Sequence, residues 1–403
     1  MKFGLFYNPM VPRRPGELEW EPGEERNAFK STLEQIQLAD RLGIDYVFLG
    51  EHHFSAQYAH NSASEVLLGA IAATTKHIRL GTAITQTSHN DPVRVAERIA
   101  MADLISDGRV EFGLGSGSPH EVAAFFQNFG VDQSKRKART DAAAQIAVDI
   151  LGSRGAWPGA KNEFFDYPPA NVVPKSHQLP HPPLWTSTTG PGMADGVAKR
   201  GLGQLMLTVG GPELVAREVQ AYWNALRGDD VKPVGRAINP AVFTFTSGLL
   251  APTDQLAKER GREGLEFFGF GLMGGAAMTI QNPEFHLWDE FKKWKAGGKD
   301  PRATPPPMDF AYAPGQTMFG PDRAKKLYRQ FEAAHSDGVL LNQQFGHTKH
   351  EHMMESIEIL ARDVIPEFRE REPEHEAWRA EQLKGVDLPI YTTVSSRREA
   401  LVA

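Results

Sequence analysis

The chain contains no cysteine. That absence excludes disulfides, thiolate zinc centres, cysteine-ligated clusters and a cysteine nucleophile, and it agrees with a reducing, cytoplasmic home. Also missing is any apolar run approaching the ~20 residues of a membrane-spanning helix, so no membrane partner is expected. Positive charge is in deficit, with 44 Lys and Arg against 50 Asp and Glu and a net charge of −6. No basic face is implied, which argues against nucleic acid as a partner. The cluster Lys135-Arg136-Lys137 reads as solvated helix surface. The opening residues show no basic n-region, apolar h-region or small-residue cleavage site; Lys2-Phe3-Gly4-Leu5-Phe6-Tyr7 starts a strand directly.

What is present describes a globular protein: 403 residues, 41% hydrophobic and 23% charged. Such a length suggests two or three domains, yet α/β barrels carry it as one. Short β-type runs at 2–7, 45–50, 78–84, 109–114, 183–187, 203–208, 239–247 and 338–343 alternate with amphipathic helical patterns. The helices fall near 29–42, 64–75, 92–106, 139–151, 192–200, 212–226, 321–335 and 350–370. Asp91-Pro92 has the form of an N-cap followed by Pro at the first helical position, and Pro212 and Pro321 open helices after a Gly. Eight βα units predict an α/β fold of (β/α)8 TIM-like barrel type over residues 1–370.

Three Pro- and Gly-rich stretches interrupt the pattern: 8–28 after strand 1, 152–182 between strands 4 and 5, and 248–320 after strand 7. The last holds Pro305-Pro306-Pro307 and the aromatics Phe267, Phe268, Phe270, Phe285 and Trp288, which suit a lid, a pocket wall or an oligomer contact. The charged tail 371–403 has no apolar period and is expected to extend over solvent or a neighbouring subunit.

Candidate chemistry sits at strand exits, where α/β folds bind ligands. Tyr46-Val47-Phe48-Leu49 runs into Glu51, His52 and His53. Strand residues alternate in direction, so one imidazole enters the site unless the chain has already turned. Gly113-Leu114-Gly115-Ser116-Gly117-Ser118 follows strand 4 and by itself is either a tight exit or a ligand loop. Ser187-Thr188-Thr189-Gly190-Pro191-Gly192-Met193 joins strand 5 to a helix start, where free amides and the helix dipole attract an anion; simple capping also explains that composition. His347 and His350 stand three apart, but no acidic catalytic pattern accompanies them, so no metal is expected.

Taken together, Lys2-Phe3-Gly4-Leu5-Phe6, Glu51-His52-His53-Phe54, Ile78-Arg79-Leu80-Gly81-Thr82-Ala83, the segment from Asp91-Pro92-Val93-Arg94 to Gly108–Gly115, Pro183-Leu184-Trp185 and Gly338–Gly346 resemble the bacterial luciferase-like flavin monooxygenases in order and spacing. The resemblance implies a barrel that binds reduced FMN, or in some branches F420, at the carboxyl face of the strands. It places the catalytic histidine on His52, leaving His53 structural and Glu51 either orienting a ring or closing a salt bridge at the barrel mouth. It also implies flavin contacts at Ala83, Ser116, Gly117 and Ser118, with a cis peptide or bulge at Ala83-Ile84. The family's phosphate loop matches Ser187–Met193, putting Thr188, Thr189, Gly190 and Met193 against the cofactor. Many relatives carry Arg at the position of Ser116, so the phosphate's cation falls to Arg139 or Arg136, or backbone amides suffice. The implied activity is oxygenation of a small organic substrate by O2 and reduced FMN. A separate NAD(P)H-dependent reductase would supply that flavin, because no NAD(P)H-binding unit is visible in the chain. The alternatives are an F420-dependent hydride-transfer enzyme and a flavin-binding protein without catalysis. A homodimer is expected.

Overall fold

The computed structural model describes residues 1–117, 132–207, 210–297 and 315–391. Eight strands form the central layer: β1 (Lys2–Tyr7), β2 (Tyr46–Leu49), β3 (Arg79–Thr82), β4 (Val110–Gly115), β5 (Leu184–Thr188), β6 (Gly203–Met206), β7 (Val242–Leu250) and β8 (Gly338–Asn342). Each pairs in parallel with the next, and β8 returns to β1, with Lys2 opposite Gly338 and Phe6 opposite Asn342. The sheet is therefore a closed (β/α)8 barrel.

Residue alternation explains the two cores. Phe3, Leu5 and Tyr7 of β1 and Val47 and Leu49 of β2 face outward into the helix layer, while Phe6, Tyr46 and Phe48 face the axis. The interior is an aromatic plug: Phe48 and Phe243 meet Trp185 at ring distances of 5.6 and 5.0 Å, and Tyr46 meets Phe243 at 5.0 Å. Towards the amino end of the barrel lies a buried ion pair between Arg79 and Glu111, with Trp185 Nε1 donating to Glu111 at 2.5 Å. The surrounding helices start as expected. The Asp91 carboxylate accepts from the Val93 and Arg94 amides ahead of Pro92, and Pro212 and Pro321 each open a helix.

Some boundaries move for identifiable reasons. Strand β3 stops at Thr82, the Ala83-Ile84 peptide that follows is cis, and Thr85–Gln86 then pairs with Leu114 and Gly115. The resemblance implies such a departure at this point. The strand expected over 239–247 occupies 242–250. Ile238 is engaged elsewhere, donating to Pro389 and accepting from Tyr391 at 2.8 Å each, and the far end of β7 gains Thr317–Phe319 as a partner. After β7, helices Asp254–Phe270, Ala276–Gln281 and Leu287–Lys295 cover the carboxyl end of the barrel, and their Phe267, Phe268, Phe270 and Trp288 join the interior aromatic cluster. The run Pro305-Pro306-Pro307 lies outside the described residues.

The tail does not extend away over its described part. Helix Glu372–Gln382 packs beneath the barrel: Trp378 stacks on His335 at 4.0 Å and meets Trp223 edge-on at 5.4 Å. His375 Nε2 lies 3.0 Å from Asp337 Oδ1, and Arg379 pairs with the same carboxylate. His375, Trp378 and Arg379 fall at helical spacing, so a single face binds although no apolar stripe exists.

Candidate active site

At the carboxyl end of the strands, the last inward positions are Asn8, Gly50, Ala83, Gly115, Ser187, Ser247 and Asn342, with Leu207 after β6 the apolar exception, two residues beyond inward-facing neighbours such as Phe6, Trp185, Phe245 and Leu340. Here the interior changes from aromatic to small and polar. Asn8 Oδ1, Ser187 Oγ, Ser247 Oγ and both side-chain polar atoms of Asn342 are buried with no hydrogen-bond partner. Buried polar groups are ordinarily paired, and a cluster of exceptions on one level of a barrel marks a place for a ligand. Beside them, β2, β3 and β4 end in the small residues Gly50, Ala83 and Gly115. A Cβ at Gly50 would come within 3.1 Å of Phe6 and 3.3 Å of Asn8, and one at Gly115 within 3.1 Å of Ile84, so glycine keeps these faces flat. A planar molecule with polar edges fits that combination, and a flavin ring system is such a molecule.

His52 leaves β2 on this rim. Its amide donates to the Asn61 carbonyl at 3.0 Å, Asn61 Nδ2 holds the Gly50 carbonyl at 2.6 Å, and the half-buried ring stands edge-on to Tyr58 at 6.2 Å. Phe54 and Gln57 take positive φ, 60° and 67°, so the chain does turn within this segment. Glu51 belongs to the other imidazole, since its Oε1 lies 3.1 Å from His53 Nε2 and also accepts from Asn90 Nδ2 at 3.3 Å. His89 completes this group. Glu51, His53 and His89 offer ligand-type atoms within 4.8 Å of one another, the spacing a metal ion would need. The two histidines singled out near strand 8 do not converge: His347 packs on Trp288 at 4.3 Å, whereas His350 contacts Gln35 and Glu34.

The remaining expected positions divide into two groups. Ser116 and Arg139 come together through Ser88: Arg139 Nε donates to Ser88 O at 3.0 Å, and Ser88 Oγ donates to Ser116 O at 3.0 Å, while Ala83 follows β3 and Gly117 stands against Gln86. A cation thus stands beside Ser116, held over the Phe165 ring at 4.7 Å. Ser118 lies outside the described residues. The loop after β5 is less open than its composition suggests. Thr188 is buried and its hydroxyl accepts from Gln204 Nε2 at 3.0 Å, while the Gly192 amide donates to Glu218 at 2.7 Å. Thr189, Gly190 and Met193 remain accessible. Sequence reasoning missed Asn8 and Ser247 altogether. Their signal is the change from Phe6 to Asn8 and from Phe245 to Ser247 at successive inward positions, which only an assigned in-and-out register makes visible.

Comparison with known proteins bears on fold and family. Residues 1–290 match the family model described as luciferase-like monooxygenase. Limonene 1,2-monooxygenase of Rhodococcus erythropolis is 28% identical over 242 residues, 59% of each chain. The chain spans about half the length of the curated relatives it matches. Among solved structures, the oxygenating constituent of 3,6-diketocamphane monooxygenase from Pseudomonas putida, in complex with FMN, superposes with a TM-score of 0.66 at 19% identity, over 91% of this chain and 98% of that one. An F420-dependent secondary alcohol dehydrogenase superposes at 0.61 with 16% identity, over 90% and 98%. The family model covers well over half of the chain, and the chain belongs to the luciferase-like monooxygenases.

Proposed function

We propose that this protein is the oxygenase of a two-component system that uses reduced FMN and O2 to oxygenate a small organic substrate, with a separate reductase supplying the flavin. The row of unpaired polar atoms beside His52 carries this reading, because it sits where a flavin's polar edges would satisfy it. Relatives named as an oxygenase component and an oxygenating constituent support the division of labour. The bound flavin would supply the oxygen chemistry. The chain's own groups orient the ring through Asn8, Ser187, Ser247 and Asn342, keep water out with the aromatics above the mouth, and hold a proton on the His52 imidazole.

The phosphate is assigned to Arg139 together with the accessible amides of Thr189 and Gly190, because Thr188 and the Gly192 amide are already engaged. Anaerobic titration tests cofactor and phosphate site together. Reduced FMN should bind more tightly than reduced F420, the choice that separates oxygenation from hydride transfer. Arg139→Ala should weaken FMN by at least about tenfold while sparing riboflavin, since a hydrogen bond to a charged group contributes ~1.5–3 kcal/mol. Tighter binding of F420 would remove the oxygenase reading. Equal losses for FMN and riboflavin would move the phosphate elsewhere.

A homodimer is inferred from the second and third barrel helices, Ser64–Thr74 and Pro92–Ile105. They leave Val66 75%, Met101 50% and Ile105 46% exposed, an apolar face that a second copy would cover. Light scattering should return about twice 44.5 kDa, and Met101→Lys with Ile105→Glu should halve it. A monomeric parent protein would end this inference. No helix among the described residues is long and apolar enough to cross a membrane.

A further inference from the structure

Arg13 lies in the loop that leaves β1, at the same end of the barrel as His52. It is 6% exposed, yet its Nε and Nη1 are buried with no hydrogen-bond partner. The acidic residues nearby are committed elsewhere: Arg14 pairs with Glu21 and Glu24, and Glu25 pairs with His60 at 3.0 Å. Trp20 lies under the guanidinium, 4.6 Å from Cζ to the ring centroid. Burial lowers the Arg13 pKa from its usual value with no acidic group opposing the shift. A single cation–π contact offsets only part of the cost of a buried, uncompensated charge. The arrangement calls for an anion that the chain does not provide.

The position of Arg13 indicates which anion. Its backbone amide donates to Gln57 Oε1 at 3.3 Å, and Gln57 in turn donates to the Phe285 carbonyl at 3.1 Å and accepts from the Trp288 amide at 3.4 Å. Gln57 precedes Tyr58, which faces the His52 ring and stacks on Phe268 at 5.9 Å. Arg13 is thus tied to the aromatic cover over the mouth. Arg139, by contrast, is tied to Ser88 and, through it, to Ser116 on the β3–β4 side. We propose that Arg13 binds the carboxylate of the organic substrate, so that the enzyme takes organic acids whose flat apolar body lies among Trp20, Tyr58, Phe268 and Trp288. Guanidinium geometry suits a carboxylate, which two parallel N–H groups can grip. The inference rests on the reading of the barrel mouth as the active site.

The test uses the full chain, with 1-naphthoate and its neutral carboxamide as probes and FMN and riboflavin as cofactor controls, all measured by calorimetric titration. The parent protein should prefer the acid over the amide by at least about tenfold, a factor that corresponds to ~1.4 kcal/mol. Arg13→Gln should abolish that preference and leave the FMN-to-riboflavin ratio unchanged. Arg13→Lys keeps the charge without the fork and should retain a preference of about threefold, which preserves the test if the glutamine variant does not fold. Equal binding of acid and amide by the parent protein overturns the proposal. So does an Arg13→Gln protein that still prefers the acid, or one that loses FMN selectively, which would make the flavin phosphate the anion. If the parent protein binds no flavin but still prefers the acid, the oxygenase reading fails while the anion site stands.

Discussion

Replacing His52 by alanine is expected to slow product formation by about 10²–10⁴-fold, the range that a positioned acid or base contributes, while reduced FMN still binds within about tenfold of the parent. The separation follows from geometry. The His52 amide is fixed by the Asn61 backbone carbonyl and the Gly50 carbonyl by the Asn61 side chain, so removing the ring leaves the exit of β2 in place. The polar row of Asn8, Ser187, Ser247 and Asn342 is untouched by the change. His53 provides the control. Its ring is tied to Glu51, so His53→Ala should act chiefly on stability rather than on the chemical step. Single-turnover kinetics with chemically reduced FMN and O2, without NAD(P)H, would measure this. Full turnover by the His52 variant would remove the histidine from the reaction.

The second large effect is expected at the opposite end of the barrel. Asp337 is 4% exposed and receives Arg379, His375 and, at 2.7 Å, the Val242 amide. Substitution Asp337→Asn should cost ~3–5 kcal/mol of unfolding free energy, because it strands a largely buried guanidinium. Adding Arg379→Met should restore much of the loss. Burial by itself would raise the carboxyl's pKa, but Arg379, the His375 hydrogen bond and the Val242 amide outweigh it and leave the group below its ordinary 3.8. A carboxylate depressed in the folded state contributes stability above its unfolded pKa and loses it as pH falls through the folded one. The gap between parent and Asp337→Asn should therefore be full near neutrality and shrink at pH below about 4. Denaturant titrations at several pH values would show this, and a gap that does not change with pH would contradict it.

The eight βα repeats were legible because each is local: Tyr46–Leu49 and Val110–Gly115 declare themselves by their own composition, and Asp91-Pro92 by its capping chemistry. What was hidden depends on partners far away in the chain. The strand read over 239–247 begins only at Val242, because the adjoining Ile238 gives its hydrogen bonds to residues 389–391. Thr188 reads as a loop hydroxyl, yet β5 runs one residue further than its composition suggests. Alternation then turns Ser187 to the axis and Thr188 to Gln204 in the wall. The tail lacked an apolar stripe, and its docking rests on the Trp378 face, on ion pairs such as Arg379–Asp337 and Lys2–Glu372, and on backbone bonds to Ile238, features that periodicity does not detect.

The aromatic plug formed by Tyr46, Phe48, Trp185 and Phe243 has a consequence for traffic. These rings are at most 8% exposed, with the Arg79–Glu111 pair beneath them. The barrel is a vessel with a floor. On the proposed function, cofactor, organic substrate, oxygen and product would share the mouth that the helices after β7 overhang. Whatever sits deepest must arrive first and leave last, so the order of events is imposed by the shape of the container before any affinity is considered.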